Sequence, residues 1–326
     1  MGHIQDVAIN TTSLMKNFSG IVESPAMLEV LEQAQVYAGV PRPVLIRGER
    51  GVGKELVARY IHSESERRQG PFVAINCAAL NDELVNAEIY GHERGAFTGA
   101  TETRAGKLEQ ADGGTLFLDE IGNMSAPFQD RILRVMEYQE FERVRGTRKI
   151  KVDVRVVSAT NANLEELMAE GLFRRDLYDR LTFAEVHVPP LRRRRRDIPP
   201  LIVHVVAKLH DEIPSLMEKS FAPDTIRAMM EYYWPGNVRE LRNVVERVYL
   251  YDKDRIIEPH ELPPEVTGSA ITGESFHEKV EAFKRQLVVG KLRECNNNQR
   301  AAARELGMSY DQFRHYYRKF QAARSE

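Results

Sequence analysis

The chain has 326 residues, of which 42% are hydrophobic and 29% charged, as in an ordinary soluble protein with roughly two domains that each have a core. No apolar run approaches the ~18 residues that a membrane-spanning helix needs, so no membrane span is expected. The formal net charge is −2, but residues 276–326 carry eleven Lys and Arg against six Asp and Glu, a net of +5. A basic segment on an acidic body suggests a polyanion-binding module, although solvated tails are often basic as well.

The first residues, MGHIQDVAINTTSLMKN (1–17), lack the apolar core of a signal peptide, and we interpret them as a short leader. The only two cysteines, Cys77 and Cys295, lie far apart in different segments. A structural disulfide is therefore not expected, and the cysteine usage predicts a cytoplasmic protein.

Residues 18–196 alternate short apolar runs with helical patterns. Strands that are separated by helices in this way need crossover connections, which predicts an α/β domain with a parallel sheet and helices on both faces. The apolar runs are VLIRG (44–48), FVAIN (72–76), TLFLDE (115–120), VRVVSATN (154–161) and AEVHV (184–188).

From Asp197 the strand-like runs stop. Three consecutive amphipathic patterns predict an all-helical lid over residues 197–262: IPPLIVHVVAKLHDEI, APDTIRAMMEYYW and PGNVRELRNVVERVYLY. Residues 263–275 contain Pro, Gly and Ser, and we interpret them as a linker. Residues 276–326 are predicted to form a further helical domain.

A glycine-rich segment, GERGVGKE, directly follows the first apolar run and precedes a helical pattern. Glycines allow backbone N–H groups to approach phosphate oxygens, and Lys54 would reach the β- and γ-phosphates. Ser or Thr usually follows this lysine and binds Mg²⁺, whereas here the residue is Glu55. A simple glycine-rich turn is the alternative. The predicted phosphate-binding loop comprises Gly48, Glu49, Arg50, Gly51, Val52, Gly53, Lys54 and Glu55.

Two acids end the third apolar run, TLFLDE, where a Walker B motif belongs. We expect Asp119 to hold Mg²⁺, directly or through water, and Glu120 to polarise the attacking water. Two solvated acids at a strand end are the alternative. Asn76 and Asn161 end two other runs, and ligands bind beyond the carboxyl ends of parallel strands. Both amides could therefore face the γ-phosphate, although Asn is also a common turn former.

Six segments, in order, resemble the AAA+ domain of the bacterial enhancer-binding proteins, the activators of sigma-54 RNA polymerase. They lie between Phe18 and Leu262: GERGVGKE, NCAAL, GHERGAFTGA, GGTLFLDE, FRRDLYDRL and WPGNVREL. In that family Glu usually follows the P-loop lysine, so Glu55 agrees with the resemblance and remains a candidate Mg²⁺ ligand. The resemblance implies an AAA+ P-loop ATPase that hydrolyses ATP with Mg²⁺, forms a hexameric ring, and remodels the sigma-54 closed promoter complex.

The segment FRRDLYDRL matches the part of the family that carries the arginine fingers, which reach the nucleotide of the neighbouring subunit. The resemblance assigns this role to Arg174 and Arg180. Two alternatives remain open. Arg175 could be the finger instead. Alternatively, the i,i+4 pairs Arg175–Asp179 and Asp176–Arg180 could be ordinary ion pairs on the surface of a helix.

Further roles follow from the resemblance alone. Arg239 in WPGNVREL matches the lid arginine that senses the bound phosphate, and Ile21 and Val22 match the apolar edge of the adenine pocket. The family's pattern here alternates Arg with acids ahead of Asp-Ile, and the run RRRRR (192–196) is followed by a matching Asp197-Ile198. We interpret the run as a solvated segment, with a polyanion-binding role as the alternative.

The segment GAFTGA is unusual, because small residues surround one aromatic and one hydroxyl side chain, a composition that favours neither helix nor strand. The resemblance implies a loop that contacts the sigma factor, with Phe97 as the apolar anchor and Thr98 as a contact or conformational check. Residues 123–147 would form a second, supporting loop and helix, and an inert surface loop is the alternative. The predicted sigma factor contacts are Gly95, Ala96, Phe97, Thr98, Gly99 and Ala100.

The C-terminal segment NNNQRAAARELGMSYDQFRHYYRKF predicts a helix, a Leu-Gly-Met turn and a second helix that begins near Ser309. It resembles the Fis-type helix-turn-helix that ends most of these activators, which implies binding of double-stranded enhancer DNA; a generic helical hairpin is the alternative. The second helix displays a polar and basic set suited to groove and phosphate contacts. The predicted DNA contacts are Ser309, Tyr310, Gln312, Arg314, His315, Arg318 and Lys319.

The preferred interpretation is an ATP-driven activator of sigma-54 promoters. A DNA-binding repressor with a vestigial ATPase and another AAA+ motor, such as a protein unfoldase or helicase loader, are the alternatives. The intact Lys54, Asp119 and Glu120 argue against the first, and GAFTGA with the C-terminal module argues against the second. Because the ATPase domain is predicted from residue 18, we expect a stand-alone member without an N-terminal receiver, GAF or PAS domain. Control would then come from a regulatory protein in trans, from expression level, or from a ligand.

Overall fold

The computed structural model of the protein describes residues 17–77, 82–97, 99–251, 254–267 and 299–308, together with residues 284, 288, 291, 292, 295, 310, 313, 314, 316 and 317. The chain divides into two compact units, Met1–Leu262 and Pro263–Glu326. Across the described ranges, no helix combines the length and the apolar character that a membrane crossing requires.

Five parallel strands form the central sheet of the first unit, so the α/β prediction is confirmed. The described residues contain nine strands in all, of which five belong to this sheet: β1 (Val44–Arg47), β2 (Phe72–Asn76), β3 (Thr115–Asp119), β4 (Glu140–Glu142), β5 (Lys149–Lys151), β6 (Arg155–Thr160), β7 (Ala184–His187), β8 (Ser220–Phe221) and β9 (Ile256–Ile257). The sheet has the order β2–β3–β6–β1–β7. In its register Asn76 pairs with Asp119, and Arg47 pairs with Thr160. The carboxyl ends of these strands therefore meet at one edge of the sheet.

Eleven α-helices are assigned in the described ranges, and three of them lie in the predicted lid. They are α1 (Pro25–Ala38), α2 (Lys54–Ser63), α3 (Asp82–Tyr90), α4 (Lys107–Gln110), α5 (Ala126–Tyr138), α6 (Leu164–Ala169), α7 (Arg175–Leu181), α8 (Ile198–Glu212), α9 (Pro223–Glu231), α10 (Asn237–Tyr251) and α11 (Gln299–Glu305). The start of α1 illustrates why such helices form where they do. The Ser24 hydroxyl accepts a hydrogen bond from the Met27 amide, and Pro25 occupies the first turn, where no backbone donor is needed.

Hydrophobic clusters cover both faces of the sheet, because successive strand residues point to opposite sides. Leu45 and Leu118 pack in one cluster with residues of α5 and α7. Val44, Ile46 and Phe117 pack in the other cluster with residues of α1 and α2. Burial on both faces explains why these strands are almost continuously apolar rather than alternating.

Helices α8, α9 and α10 form the lid, as predicted, with one addition. Strands β8 and β9 form a parallel pair of two residues each, which the prediction of an all-helical lid did not include. The pair extends through hydrogen bonds from the Ser220 amide to the Arg255 carbonyl and from the Ala222 amide to the Ile257 carbonyl. Backbone groups of the two connecting segments are satisfied in this way.

A β-hairpin follows α5, where the sequence predicts only a supporting loop and helix. The helix ends at Gln139, which adopts a left-handed conformation with φ 53°. The Gln139 carbonyl accepts a hydrogen bond from the Val152 amide, and its side-chain oxygen accepts one from the Val154 amide. These contacts close the antiparallel pair β4–β5 into a compact hairpin. The strands have only three residues each and are mostly charged, so they give almost no periodic signal.

The second unit has its own small core, formed by Val288, Leu292, Ala302, Ala303 and Phe313. Helix α11 ends in a turn at Gly307, which has φ 64°, and the Met308 amide donates a hydrogen bond to the Ala303 carbonyl. The predicted helix-turn-helix stays a prediction.

Candidate functional site

The predicted phosphate-binding loop lies at the carboxyl edge of the sheet, between β1 and α2. Helix α2 begins at Lys54, so its first backbone N–H groups face the loop. Gly51 has φ 76°, and a Cβ atom there would lie 2.4 Å from the carbonyl oxygen of Gly236 in the lid. Glycine is therefore required at this position both for the backbone conformation and for the close approach of the lid.

The side chain of Lys54 is buried, with 8% of its surface exposed. Its Nζ donates hydrogen bonds to the carbonyl oxygens of Gly48 at 2.8 Å and Glu49 at 3.1 Å. Burial lowers the pKa of Lys54, whereas the nearby carboxylates of Asp119 and Glu120 act in the opposite direction. The predicted lysine and the two predicted acids are thus electrostatic neighbours at this edge.

Asp119 is the last residue of β3, and burial raises the pKa of its carboxyl, opposed by the charge of Lys54. Glu120 follows in a left-handed conformation with φ 55° and ψ 45°. Its amide donates to Asp119 Oδ1 at 2.9 Å, and its Oε2 accepts a long hydrogen bond of 3.4 Å from Asn123. Left-handed backbone in a non-glycine residue costs about 1 kcal/mol and is common at functional sites.

The two predicted asparagines lie at the carboxyl ends of two strands of the same sheet. Asn76 is the last residue of β2 and pairs in register with Asp119, and its side chain is exposed. Asn161 follows the last residue of β6 and is also exposed. Both amides therefore lie on the side of the sheet that carries the phosphate-binding loop.

Glu55 is paired with an arginine of its own helix. It is half exposed and forms an i,i+4 ion pair with Arg59, with 2.7 Å between Nη2 and Oε1. Among the residues that the structure describes, no group of three His, Cys, Asp or Glu side chains is arranged to hold a metal ion.

The predicted adenine edge lies beside the start of α1. Val22 is buried in the cluster that also contains Val52 of the loop, and Ile21 is half-buried. The carboxylate of Asp197 holds this segment, because it accepts hydrogen bonds of 2.7 Å from the amides of Glu23 and Ser24.

The basic run 192–196 is only partly solvated, so our interpretation of it was wrong for two of its members. Arg194 is buried and donates to the Val52 carbonyl, and Asp197 lies 3.9 Å from its guanidinium. Arg192 makes two hydrogen bonds to the Glu49 carboxylate. The physical reason is tertiary: both arginines reach residues of the phosphate-binding loop that lie about 140 positions earlier in the chain.

Arg239 lies in the first turn of α10, and it is exposed. The Val238 amide donates a hydrogen bond of 3.0 Å to the Gly51 carbonyl, which fixes this turn against the loop. A Cβ atom at Gly51 would lie 3.1 Å from the Cβ of Arg239. The predicted phosphate-sensing arginine is therefore adjacent to the predicted phosphate-binding loop.

Both predicted finger arginines are exposed and lie on the side of α7 that faces α5. Arg174 pairs with Asp130 and Asp176, and Arg180 pairs with Glu137 at 3.2 Å. Asp176 thus contacts Arg174 rather than the i,i+4 partner that the sequence offered as an alternative. Arg174, Arg175, Asp176 and Asp179 line an open depression.

The GAFTGA loop is folded by internal hydrogen bonds. The Gly95 amide donates to the Ala100 carbonyl at 2.8 Å, and the Ala100 amide donates to the Phe97 carbonyl at 3.0 Å. Ala96 and Ala100 are buried, whereas 39% of Phe97 is exposed and its ring lies 5.0 Å from that of His92. Thr98 lies outside the described residues.

The base of this loop is held by Arg143 from the β4–β5 hairpin. Its guanidinium contacts Glu109 at 2.7 Å and Glu93 at 3.1 Å, and the Thr103 hydroxyl donates to Glu93 at 2.9 Å. These contacts raise the pKa of Arg143 and lower those of both glutamates. The loop is thereby connected to the same hairpin that follows α5.

Only two of the predicted DNA contacts belong to the described part of the chain. Tyr310 and Arg314 lie in helical segments of the second unit. The other predicted contacts lie outside the described residues: Ser309, Gln312, His315, Arg318 and Lys319.

Sequence reasoning missed several residues that shape the site. Asn237 is fully buried between the lid and the loop, and Arg47, next to Gly48, contacts Glu165, Glu185 and Tyr178. The only sequence signal for Asn237 was its place after Pro-Gly at a helix start. Arg47 had no signal beyond a charged residue at the end of an apolar run.

Two family descriptions match the chain: the Sigma-54 interaction domain over residues 21–187, and the AAA+ ATPase lid domain over residues 192–278. The Psp operon transcriptional activator of Escherichia coli (strain K12) is 43% identical over 314 residues, which cover 92% of this chain and 97% of that protein. The Nif-specific regulatory protein of Herbaspirillum seropedicae is 52% identical over 233 residues, covering 72% of this chain but only 42% of that protein.

Solved structures show the same similarity. The crystal structure of NtrX from Brucella abortus in complex with ATP has a TM-score of 0.71 and 33% sequence identity, and the match covers 97% of this chain and 73% of that one. NtrX has also been solved in complex with ADP, with a TM-score of 0.72. The AAA+ sheet, the helical lid and the matched sequence domains agree with one another. The chain therefore belongs to the family of sigma-54-dependent enhancer-binding activators.

Proposed function

We propose that this protein hydrolyses ATP and uses the reaction to remodel the closed complex of sigma-54 RNA polymerase, so that promoters open. The proposal rests chiefly on one observation: the glycine-rich loop that leads into Lys54 and the carboxylate of Asp119 at the end of β3 lie at the same carboxyl edge of a parallel sheet. That edge is where ligands bind in such sheets. The similarity to NtrX, solved with ATP and with ADP, supports a nucleotide as the ligand.

The residues at this edge fit a polyphosphate. The loop has no side chains at Gly51 and Gly53, both with positive φ, and it leads directly into the amino end of α2, where anions are favoured. The Lys54 amino group is already directed at the loop and would exchange two carbonyl acceptors for charged phosphate oxygens, which are stronger acceptors.

The same edge fits Mg²⁺. This ion commonly binds one or two protein carboxylates together with phosphate oxygens, so the lack of a larger acidic cluster among the described residues is compatible with it. Asp119 would hold the ion, with Glu55 as a further candidate once it leaves Arg59. When bound, Mg²⁺ supplies charge neutralisation on the phosphates.

We assign Glu120 to orienting the attacking water. It follows β3 in a left-handed conformation, and the hydrogen bond that it accepts from Asn123 is long, at 3.4 Å. Asn76 and Asn161 lie on the same edge and are assigned a role in sensing water and phosphate. Arg239 is assigned to the phosphates from the lid side, and Ile21 and Val22 to the adenine ring.

Copies of the chain would form a hexameric ring, with Arg174 and Arg180 completing the site of the neighbouring copy. In the isolated chain their charges are balanced by carboxylates on the surface, and such exposed pairs contribute little to stability. Exchanging these partners for a neighbour's nucleotide therefore has a small energetic cost. A regulatory protein acting in trans could bind the same body.

Output and targeting would use the remaining predicted regions. Gly95, Ala96, Phe97, Thr98, Gly99 and Ala100 would contact the sigma factor, and the exposed ring of Phe97 supports an apolar contact. The basic C-terminal residues would bind enhancer DNA and hold the ring near its promoters.

Two variants separate nucleotide binding from hydrolysis. Lys54→Ala should lose binding of a fluorescent ATP analogue, because the phosphates lose their main cation. Glu120→Gln should keep binding but release phosphate at least about 10²-fold more slowly, because water activation is lost. Arg68→Ala, at an exposed position beyond the end of α2, is the control for both. Undiminished turnover in Glu120→Gln would remove this residue from the proposed catalytic role.

A further inference from the structure

Side chains of the lid reach across to the phosphate-binding loop. Arg192 Nη1 and Nη2 donate to the two carboxylate oxygens of Glu49 at 2.8 and 2.5 Å. Asn237 Nδ2 lies 3.1 Å from Glu49 Oε2 and 3.0 Å from the Arg50 carbonyl. We refer to Glu49, Arg192 and Asn237 as the loop–lid clamp.

Asn237 is the most constrained member of the clamp. It is fully buried and has φ 53°, a conformation that asparagine tolerates better than most residues. Its Oδ1 accepts a hydrogen bond of 2.8 Å from the Leu191 amide. One side chain thus supplies a donor to the loop and an acceptor to the start of the lid. Aspartate would supply no donor and would place a second negative charge against Glu49.

The ion pair in the clamp persists at ordinary pH. Hydrogen bonding from Arg192, and secondarily from Asn237, lowers the pKa of Glu49 to about 2, and the same contact raises the pKa of Arg192. The Arg192 guanidinium also lies over the ring of Tyr233 at 4.4 Å. The paired, bidentate geometry fixes direction as well as distance, which a lysine at position 192 would not do.

The clamp fixes the turn that carries Arg239. Asn237 is the first residue of α10, and the next amide, that of Val238, donates to the Gly51 carbonyl. Arg239 therefore follows two residues that are each bonded to the loop. Moving this turn by one ångström would move Arg239 by a similar distance relative to the loop.

We propose that Glu49, Arg192 and Asn237 are positioning residues for ATP hydrolysis, which hold the lid on the phosphate-binding loop and thereby place Arg239. The inference rests on the ATPase function proposed above. These three residues act through Arg239 and the loop, and no contact with the reacting atoms is assigned to them. A misplacement of about 1 Å can reduce a rate by about 10²-fold, so the effect on turnover is measurable.

The chain contains a built-in probe for this test. Trp234 is its single tryptophan, lies fully buried in the lid, and its carbonyl accepts a hydrogen bond from the Asn237 amide. Acrylamide quenching of its fluorescence therefore reports loosening of the clamp without any nucleotide. The variants are Glu49→Gln, Arg192→Met, their double variant, and Arg192→Lys, which keeps the charge. Arg193→Met is the matched control, because Arg193 belongs to the same short 3-10 helix, Leu191–Arg193, and is exposed.

We expect Glu49→Gln and Arg192→Met each to lower kcat about 10- to 100-fold, with a smaller change in KM for ATP. The double variant should be no slower than the slower single variant, because both changes break one interaction. The kcat of Arg192→Lys should lie between those of wild type and Arg192→Met. Quenching of Trp234 should be greater in the variants that have the lower kcat. Arg193→Met should match wild type in both measurements, and thermal melting should show that all variants are folded.

A kcat equal to that of wild type in folded Glu49→Gln and Arg192→Met proteins would overturn the inference. Increased quenching of Trp234 without any loss of kcat would overturn it as well. Independent, multiplying effects of the two single changes would also contradict it. If the wild-type protein had no ATPase activity, the proposed function would be refuted instead. Quenching of Trp234 would still report whether the clamp holds the lid, because that measurement needs no nucleotide.

Discussion

Burial governs the charged groups of the proposed catalytic edge. Lys54 and Asp119 have shifted pKa values for the same reason, loss of hydration, and each partly compensates the other. Glu120, one residue later, adopts left-handed backbone. Residues that are unfavourable for stability but favourable for phosphate chemistry are thus concentrated at one edge of the sheet.

This arrangement predicts a stability change with a defined dependence on pH. A carboxyl whose pKa is raised by folding stabilises the fold only while protonated, and that contribution is lost as the pH rises through the folded-state value. Burial raises the pKa of Asp119, so ionisation of this carboxyl has a net cost in the folded protein, and Asp119→Asn should raise the free energy of unfolding at pH 7. The gain should shrink as the pH falls toward the raised pKa.

The measurement is denaturant unfolding without nucleotide or metal, from pH 7 downward. Asp211→Asn on the exposed surface of α8 is the control, with no comparable gain expected. A less stable Asp119→Asn protein at pH 7 would show that Lys54 outweighs burial at this position.

At the residue scale, the sequence predicted the residues that belong to short motifs, and it missed the residues whose environment depends on distant parts of the chain. Lys54 and Asp119 were identified because glycines or an apolar run precede them directly. Arg192 and Arg194 were assigned to solvent because their partners in the loop lie far away in the chain, and a run of five arginines gives no indication of which members turn inward.

Among the elements, α7 has a direct connection to the proposed intersubunit chemistry. Arg174 immediately precedes it and Arg180 lies in its last turn, and α5 supplies the Asp130 and Glu137 carboxylates that hold them. Because these pairs are exposed and weak, the helix can present both arginines to another copy without disturbing the core.

Arg174→Ala and Arg180→Ala should each reduce ATP turnover sharply, since finger residues can contribute about 10³–10⁵ in rate. In this account, each finger variant loses turnover because its arginine is missing from the ATP site of the neighbouring copy, while its own Glu120 stays intact. Mixing Arg174→Ala with Glu120→Gln protein should therefore restore part of the activity, at interfaces that combine an intact Glu120 with an intact finger. Steady-state phosphate release measures both effects.

Arg175→Ala is the matched control for the fingers and should retain turnover, which also tests the alternative that Arg175 is the finger. Mixtures that never exceed the activity of the separate variants would contradict the assignment of Arg174 to a neighbouring site.

Element prediction succeeded where burial is continuous. Three of the five sheet strands, β1, β3 and β6, are buried along most of their length, and helices α5, α8 and α10 each have an apolar face. The β4–β5 hairpin was missed because strands of three residues depend on contacts such as that of Gln139 with Val152 rather than on their own pattern.

The whole molecule consists of two units divided between Leu262 and Pro263. The first unit contains every described residue of the proposed ATP site and has its own core. Truncation after residue 274 should therefore preserve ATPase activity and abolish tight, specific DNA binding. In the full chain, DNA binding should weaken with salt, because basic residues gain affinity by releasing phosphate counterions.

Footprinting and phosphate release on the truncated and full-length proteins test this division, with Arg314→Ala as a milder variant of the second unit. A truncated protein that still protects the enhancer would place DNA recognition in the first unit.

The most direct test of the account is whether ATP hydrolysis reaches the sigma factor through the GAFTGA loop. Phe97→Ala and Thr98→Ala should hydrolyse ATP at near wild-type rates, because neither residue is assigned a phosphate, metal or water contact. Tyr251→Ala is the control, because it removes an exposed aromatic ring that lies in the lid and not in the GAFTGA loop. The measurement is trapping of purified sigma-54 by the protein with ADP–aluminium fluoride. Wild type and Tyr251→Ala should form a stable complex, and both loop variants should not. Trapping and promoter opening at wild-type levels by Phe97→Ala and Thr98→Ala would contradict the account.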